Sequence, residues 1–139
     1  MQWNDSANAG FSKATPWLPV PASYKTHNVA SESEDPNSVL NLYKKVLALR
    51  HTNEALLEGN YKALNEDDPH VMSYLRSYKG TGVLVVLNMS ASPQKAKFDL
   101  SKEGFGRSIL KTLIASSDAA VKGDEVSLEP FGLLIAGLN

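Results

Sequence analysis

The chain has 139 residues, 42% of them hydrophobic and 21% charged, and a formal net charge of −1, which allows one ordinary domain with its own hydrophobic core. Lys and Arg are scattered, so the basic footprint of a nucleic-acid or anionic-membrane partner is absent. No apolar run approaches the roughly 18 residues that span a bilayer, no signal-peptide pattern is visible, and the lack of cysteine excludes disulfides and thiolate chemistry and suits the cytoplasm.

Residues 1–35 show no sustained period, and they place Trp3, Phe11, Trp17 and Tyr24 among Pro16, Pro19 and Pro21. A loop this long without secondary structure is functional or disordered, and aromatics are depleted from disordered segments. An ordered loop that lies on a surface is therefore predicted. Glu32-Ser33-Glu34-Asp35-Pro36 reads as a helix start, with Asp35 as cap and Pro36 at the first helical position. Val39, Leu42, Tyr43, Val46 and Leu49 then recur at helical spacing, and Leu40 and Leu47 widen the apolar face. Arg50 and His51 fall in the last turns, where positive charge is favourable, and the helix is predicted to end near Asn53.

Beyond the helix the period changes to two. Tyr61-Lys62-Ala63-Leu64 leads through the acidic turn Glu66-Asp67-Asp68-Pro69 to a second strand over residues 71–78. Residues 79–82 form a turn by composition, and the apolar run 83–87 is short enough for a strand buried on both faces. Ala96, Phe98 and Leu100 alternate with Lys97 and Asp99, and further strands are predicted over 109–115, 126–128 and 131–138. The fold class is mainly β: an antiparallel β-sandwich preceded by an ordered loop and one amphipathic α-helix, divided into residues 1–55 and 56–139. Tyr43 and Phe98 are core residues by period.

Residues that could carry chemistry have simpler explanations. Paired carboxyls that share acid–base and nucleophile roles stand about 5 Å apart in a pocket that raises one pKa. Glu66, Asp67 and Asp68 read instead as a solvated turn, and Glu32, Glu34 and Asp35 as helix capping. His27, His51 and His70 lack metal-ligand spacing. No nucleophile elbow or phosphate loop occurs, and Gly80-Thr81-Gly82 lacks the Lys and following helix of one. No metal, cofactor or catalytic residue is expected in this chain. Asn-X-Ser triplets at Asn4 and Asn88 matter only in a secretory pathway.

The order of the parts resembles the C-terminal end of α-amylase family enzymes of the α-glucosidase branch. Met1-Gln2-Trp3 and Asn8-Ala9-Gly10-Phe11 are similar to the loop between the last strand and last helix of the (β/α)8 catalytic barrel. Pro16-Trp17-Leu18-Pro19-Val20, Tyr24 and Asn28-Val29 continue that loop. Asp35-Pro36-Asn37-Ser38-Val39-Leu40, with Tyr43-Lys44-Lys45 and Leu49-Arg50, resembles the final barrel helix, and Leu84-Val85-Val86-Leu87-Asn88 a central strand of the following sandwich. The family more often has Asp where this sequence has Asn4.

The resemblance implies that residues 1–55 complete a barrel and 56–139 form the C-terminal sandwich of a retaining enzyme acting on α-glucosidic oligosaccharides. The family's Asp nucleophile, Glu acid/base and second Asp lie upstream of the Met-Gln-Trp loop. A barrel takes about 250 residues, so these acids are expected outside this chain, with Met1 an internal methionine of a longer reading frame. Gln2 and Trp3 are then candidates for the rim of the substrate pocket. Trp17, between prolines, is expected to pin the loop to the barrel. The face of Val39, Tyr43 and Val46 is expected to be partly exposed or covered by another chain, including a second copy. The competing possibility is a free-standing β-sandwich that binds carbohydrate or protein, which would bury that face against its own sandwich.

Overall fold

The computed structural model describes residues 1–106 and 110–139. Two compact units divide the chain, Met1–Ala48 and Leu49–Asn139.

The first unit carries more regular structure than its sequence suggests. Besides 3-10 turns at Ala7–Gly10 and Ala22–Lys25, it contains a short helix α1, Val29–Glu34. Asn28 starts α1 with a capping box: its Oδ1 accepts from the Ser31 N–H at 2.9 Å, and the Ser31 Oγ accepts from the Asn28 N–H at 3.3 Å. The helix has too few apolar residues to show a period, so only its cap could have revealed it.

The long helix α2 spans Val39–Thr52, and it starts later than the predicted Asp35-Pro36 boundary. Asp35 instead closes α1 as its C-cap, and its Oδ1 accepts from the Asn37 N–H at 2.9 Å. The capping role falls to buried Ser38, whose Oγ accepts from the Asn41 N–H at 3.1 Å. Asn41 in turn donates its amide to the carbonyls of Glu32, Ser33 and Asp35, satisfying acceptors that α1 leaves open at its end. No residue of α2 is buried; Val39 is 69% and Tyr43 66% exposed, and Val46 is half-buried. Tyr43 is thus not a core residue, because an apolar helix face becomes core only where something covers it.

The second unit holds α3, Glu54–Glu58, and eight strands among the described residues: β1 Asn60–Leu64, β2 Val71–Tyr78, β3 Thr81–Asn88, β4 Gln94–Lys97, β5 Lys111–Ala115, β6 Ala120–Lys122, β7 Glu125–Leu128 and β8 Leu133–Leu138. They form a five-stranded sheet, β1-β2-β3-β8-β5, and a three-stranded sheet, β4-β7-β6. Every pairing is antiparallel, as the alternating patterns predict. Ile109, read as the start of a strand, lies outside the described residues. β6 has no counterpart in the sequence reading, since its three residues are too few to show alternation.

The core lies between the sheets. Val71, Leu75, Leu84, Val86, Leu134, Ala136 and Leu138 face Ala96, Phe98, Val126 and Leu128, with Leu100 and Phe105 closing it. Phe98 is buried, as its period predicts. Val83 and Val85 point to the other face yet are also buried, which accounts for the unbroken apolar run in β3. On that face α3 packs against β2 and β3. Arg76, register partner of Val83, donates from Nε and an Nη to the Gly59 carbonyl at the end of α3. Gly82 has a steric reason: a Cβ there would come within 2.8 Å of the Phe105 ring.

Asn88 ends β3 with its side chain turned into the fold and only 2% exposed. Its Nδ2 donates to the Ser92 and Glu129 carbonyls at 2.8 and 2.9 Å, and its Oδ1 accepts from the Ser90 N–H at 2.9 Å and the Ser90 Oγ at 2.8 Å. One residue therefore ties β3 to the turn that follows β7. An amide used in this way is a structural tie and offers no accessible acceptor for a glycan.

Candidate functional site

The loop carrying Gln2 and Trp3 is held by backbone bonds along both edges. The N–H groups of Trp3 and Asn4 both donate to the Ala9 carbonyl, at 2.8 and 3.3 Å. The carbonyls of Gln2 and Trp3 accept from the N–H groups of Val29 and Ala30, each at 3.0 Å. Those two donors belong to the first turn of α1, where no intrahelical acceptor exists.

Ala9 reaches this position through a left-handed stretch. Asn8, Ala9 and Gly10 have φ of 55°, 54° and 71°, which costs about 1–2 kcal/mol for each non-glycine residue. Asn8 offsets part of that by donating Nδ2 to the carbonyls of Ser12 and Ala14, both at 3.1 Å. Ala9 is fully buried. At Gly10 a Cβ would stand 2.5 Å from the Asn4 Oδ1, so glycine is needed for space as well as for φ. Asn4 itself accepts from the Ser6 N–H at 3.0 Å and from its hydroxyl, the work of a turn residue. Lys25 steadies the same segment by donating Nζ to the Asp5 carbonyl at 2.7 Å.

Side chains on this frame remain available. Half-buried Gln2 lines a shallow groove of about 510 Å³ together with Met1, Phe11, Pro16, Trp17 and Pro19. Trp3 does not line that groove, and the residue is 49% exposed. The structure therefore brings Gln2 together with Phe11 and Trp17 and sets Trp3 apart from them. Trp17 is 92% exposed, so among the described residues its ring is left open on the groove side of the loop.

The acidic turn behaves as a turn. The Asp68 Oδ1 accepts from the N–H groups of His70 and Val71 at 2.9 and 3.0 Å, while Glu66 and Asp67 are exposed. Glu32 receives the Leu40 N–H at 3.2 Å, at the start of α2. His27, His51 and His70 are all exposed. Among the described residues, no group of three or more His, Asp or Glu is placed to hold a metal ion. Ser101 donates its hydroxyl and its N–H to Asp99, and with Lys102 nearby this holds the Asp99 carboxyl below the ordinary carboxylate range. No helix of the described residues is long and apolar enough to cross a membrane.

Sequence reasoning missed Ala9 and Asn28, the residues that hold the loop. Asn28 carried a readable signal, an Asn followed three residues later by a Ser that completes a capping box. Ala9 carried none, since nothing in an alanine announces a left-handed conformation.

Comparison with known proteins covers both parts of the chain. Residues 1–59 match the family model of the α-amylase catalytic domain, and residues 61–135 match that of the maltogenic amylase C-terminal domain. An oligo-1,6-glucosidase of Parageobacillus thermoglucosidasius is 44% identical over 90 residues, which is 65% of this chain and 16% of that protein. The oligo-1,6-glucosidase of Bacillus cereus is 32% identical over 140 residues, 100% of this chain and 25% of that enzyme. Among solved structures, trehalose-6-phosphate hydrolase of Bacillus licheniformis superposes with a TM-score of 0.90 at 30% identity, over 99% of this chain and 25% of that one. Trehalulose synthase of Pseudomonas mesoacidophila gives 0.88 at 36% identity, over 99% and 24%. The chain spans about a quarter or less of the length of these relatives. With its antiparallel sandwich matched from 61 to 135 and the segment before it matched to the catalytic domain, the chain belongs to the α-amylase family.

Proposed function

We propose that this chain is the C-terminal part of a retaining α-glucosidase-type glycoside hydrolase acting on α-glucosidic oligosaccharides. Residues 1–55 supply the last loop and last helix of its catalytic barrel, and residues 56–139 the sandwich that follows. The catalytic carboxylates come from the rest of the barrel and act through a glycosyl-enzyme intermediate. The observation that carries this reading is the likeness, over 99% of the chain, to trehalose-6-phosphate hydrolase and trehalulose synthase, enzymes about four times as long.

Within that enzyme Gln2 and Trp3 form part of the rim of the sugar pocket. The side chains stand on a backbone that is bonded on both edges, an arrangement suited to contacting a substrate without reorganising. The exposed stripe of Val39, Tyr43 and Leu47, with half-buried Val46, is covered by the parent barrel, and in the isolated chain it promotes self-association. That stripe also weighs against a free-standing sandwich module. The parent works in the cytoplasm, a compartment that the cysteine-free sequence suits.

Two experiments test this function. The purified chain should release no nitrophenol from a nitrophenyl α-glucoside above a buffer blank, and measurable release would overturn the assignment. In a hybrid where this chain replaces the matching quarter of the Bacillus cereus oligo-1,6-glucosidase, Gln2→Ala and Trp3→Ala should each raise KM about three- to tenfold, the size of a lost polar or ring contact. An unchanged KM in both would remove the rim assignment.

A further inference from the structure

We propose that Asn28 is the positioning residue of the pocket rim: by fixing the first turn of α1 it sets the backbone of Gln2 and Trp3, far from it in sequence. This inference rests on the reading of Gln2 and Trp3 as rim residues, and it adds what determines their placement.

Each of the four N–H groups that the start of α1 leaves without an intrahelical acceptor has a defined partner. The Asn28 N–H goes to the Ser31 Oγ and the Ser31 N–H to the Asn28 Oδ1. The Val29 and Ala30 N–H groups go to the carbonyls of Gln2 and Trp3. Helix starts commonly leave such donors to water; here the rim segment takes them. Their direction depends on where the helix begins, and Asn28 decides that. It is buried, and its Nδ2 is also committed, to the Tyr24 carbonyl at 2.9 Å. Both polar atoms of its side chain are thus fixed by the fold, and the first turn of α1 has one orientation.

On the opposite edge the Ala9 carbonyl holds Trp3 and Asn4. Trp3 therefore has its N–H and its carbonyl both bonded while the residue stays half exposed. A rigid backbone that presents a free side chain is what a binding rim requires. A cap that served α1 alone would not need the rim carbonyls in this place.

Amide hydrogen exchange and nitrogen–proton NMR of the labelled 139-residue chain test the assignment. In Asn28→Ala the amides of Val29, Ala30 and Trp3 should exchange about fivefold faster or more, the equivalent of a lost N-cap, and the Trp3 indole resonance should move. Amides of β3 and β8 should keep their protection. Asn28→Ser, which keeps a capping oxygen without setting a carboxylate against the Tyr24 carbonyl, should restore part of the protection. If Asn28→Ala speeds Ala30 but leaves the Trp3 amide and indole unmoved, Asn28 is only a helix cap and the proposal fails. Should Asn28→Ala also strip protection from β3 and β8, Ser31→Ala is the milder variant, removing the reciprocal half of the box and the hydroxyl's bonds to the Thr26 and Asn28 carbonyls while Asn28 stays. The Trp3 amide must then exchange faster in Ser31→Ala, and an unchanged rate there rejects the proposal. Failure of the rim reading itself is seen separately, in the KM of the Gln2→Ala and Trp3→Ala hybrids.

Discussion

Replacing Asn88 with alanine strips the sandwich of a tie that several backbone groups share. The variant loses donation to the Ser92 and Glu129 carbonyls and acceptance from the N–H and hydroxyl of Ser90. A typical bond of this kind contributes about 1 kcal/mol net, and a partner left dry costs more. Ser92 and Glu129 are exposed enough for water to replace part of the loss, whereas Ser90 is half-buried. The sum comes to about 2–4 kcal/mol, a large part of the roughly 5–15 kcal/mol of a whole domain. Both tryptophans, Trp3 and Trp17, lie in the first unit, so far-UV circular dichroism and not fluorescence should follow urea unfolding. With a slope of about 1–3 kcal/mol per molar urea, the midpoint should fall by about 1–2 M. Asn88→Asp should do no better, because a carboxylate would then face the carbonyls of Ser92, Leu128 and Glu129 that Nδ2 now serves. A midpoint within about 0.3 M of the wild type for Asn88→Ala, judged against the slope above, would refute the view that this amide joins β3 to the turn after β7.

Gly10→Ala should destabilise the first unit by about 1–2 kcal/mol, through its positive φ and its approach to Asn4, read as faster amide exchange at Trp3 with β3 unaffected. Ser101→Ala should raise the Asp99 pKa toward the ordinary carboxylate range, measured by carboxyl carbon NMR titration, because the Ser101 hydroxyl does most to lower it. A depressed carboxyl pKa stabilises the fold above the unfolded-state value and loses that effect as pH falls through the lowered one, so the difference between wild type and Ser101→Ala should vanish in strong acid. Wild-type chain should elute from a sizing column with a concentration-dependent volume, and Val39→Glu with Tyr43→Glu should abolish that dependence by placing charge in the exposed stripe of α2.

Much of the sandwich was legible because its signals are local. Alternation marked Ala96 and Phe98, the unbroken run marked β3 as buried on both faces, and turn residues separated β2 from β3. The elements that escaped are short or depend on distant partners. Helix α1 has no apolar period to read, and β6 is too brief to alternate. The start of α2 was misplaced because Asp35-Pro36 is a good local signal that lost to Ser38, which is buried and in the right place to cap. At the candidate rim, Gln2 and Trp3 could be named from the motif they belong to. What holds them could not, since the partners are a left-handed alanine and the first turn of a helix far along the chain. Tyr43 shows the converse: its helical period was real, but period specifies an apolar face without specifying what covers it.

The central claim is that this chain is the non-catalytic end of an α-glucosidase, and the hybrid enzyme tests it most directly. The Bacillus cereus oligo-1,6-glucosidase, cut back by the quarter that this chain matches, should be inactive on a nitrophenyl α-glucoside. Fused to residues 1–139 in place of that quarter, it should recover kcat/KM to within about a hundredfold of the intact enzyme, as expected when the chemistry stays in the barrel and only rim contacts differ. A hybrid that elutes as a folded monomer with native circular dichroism yet shows no more activity than the cut-back enzyme would contradict the account.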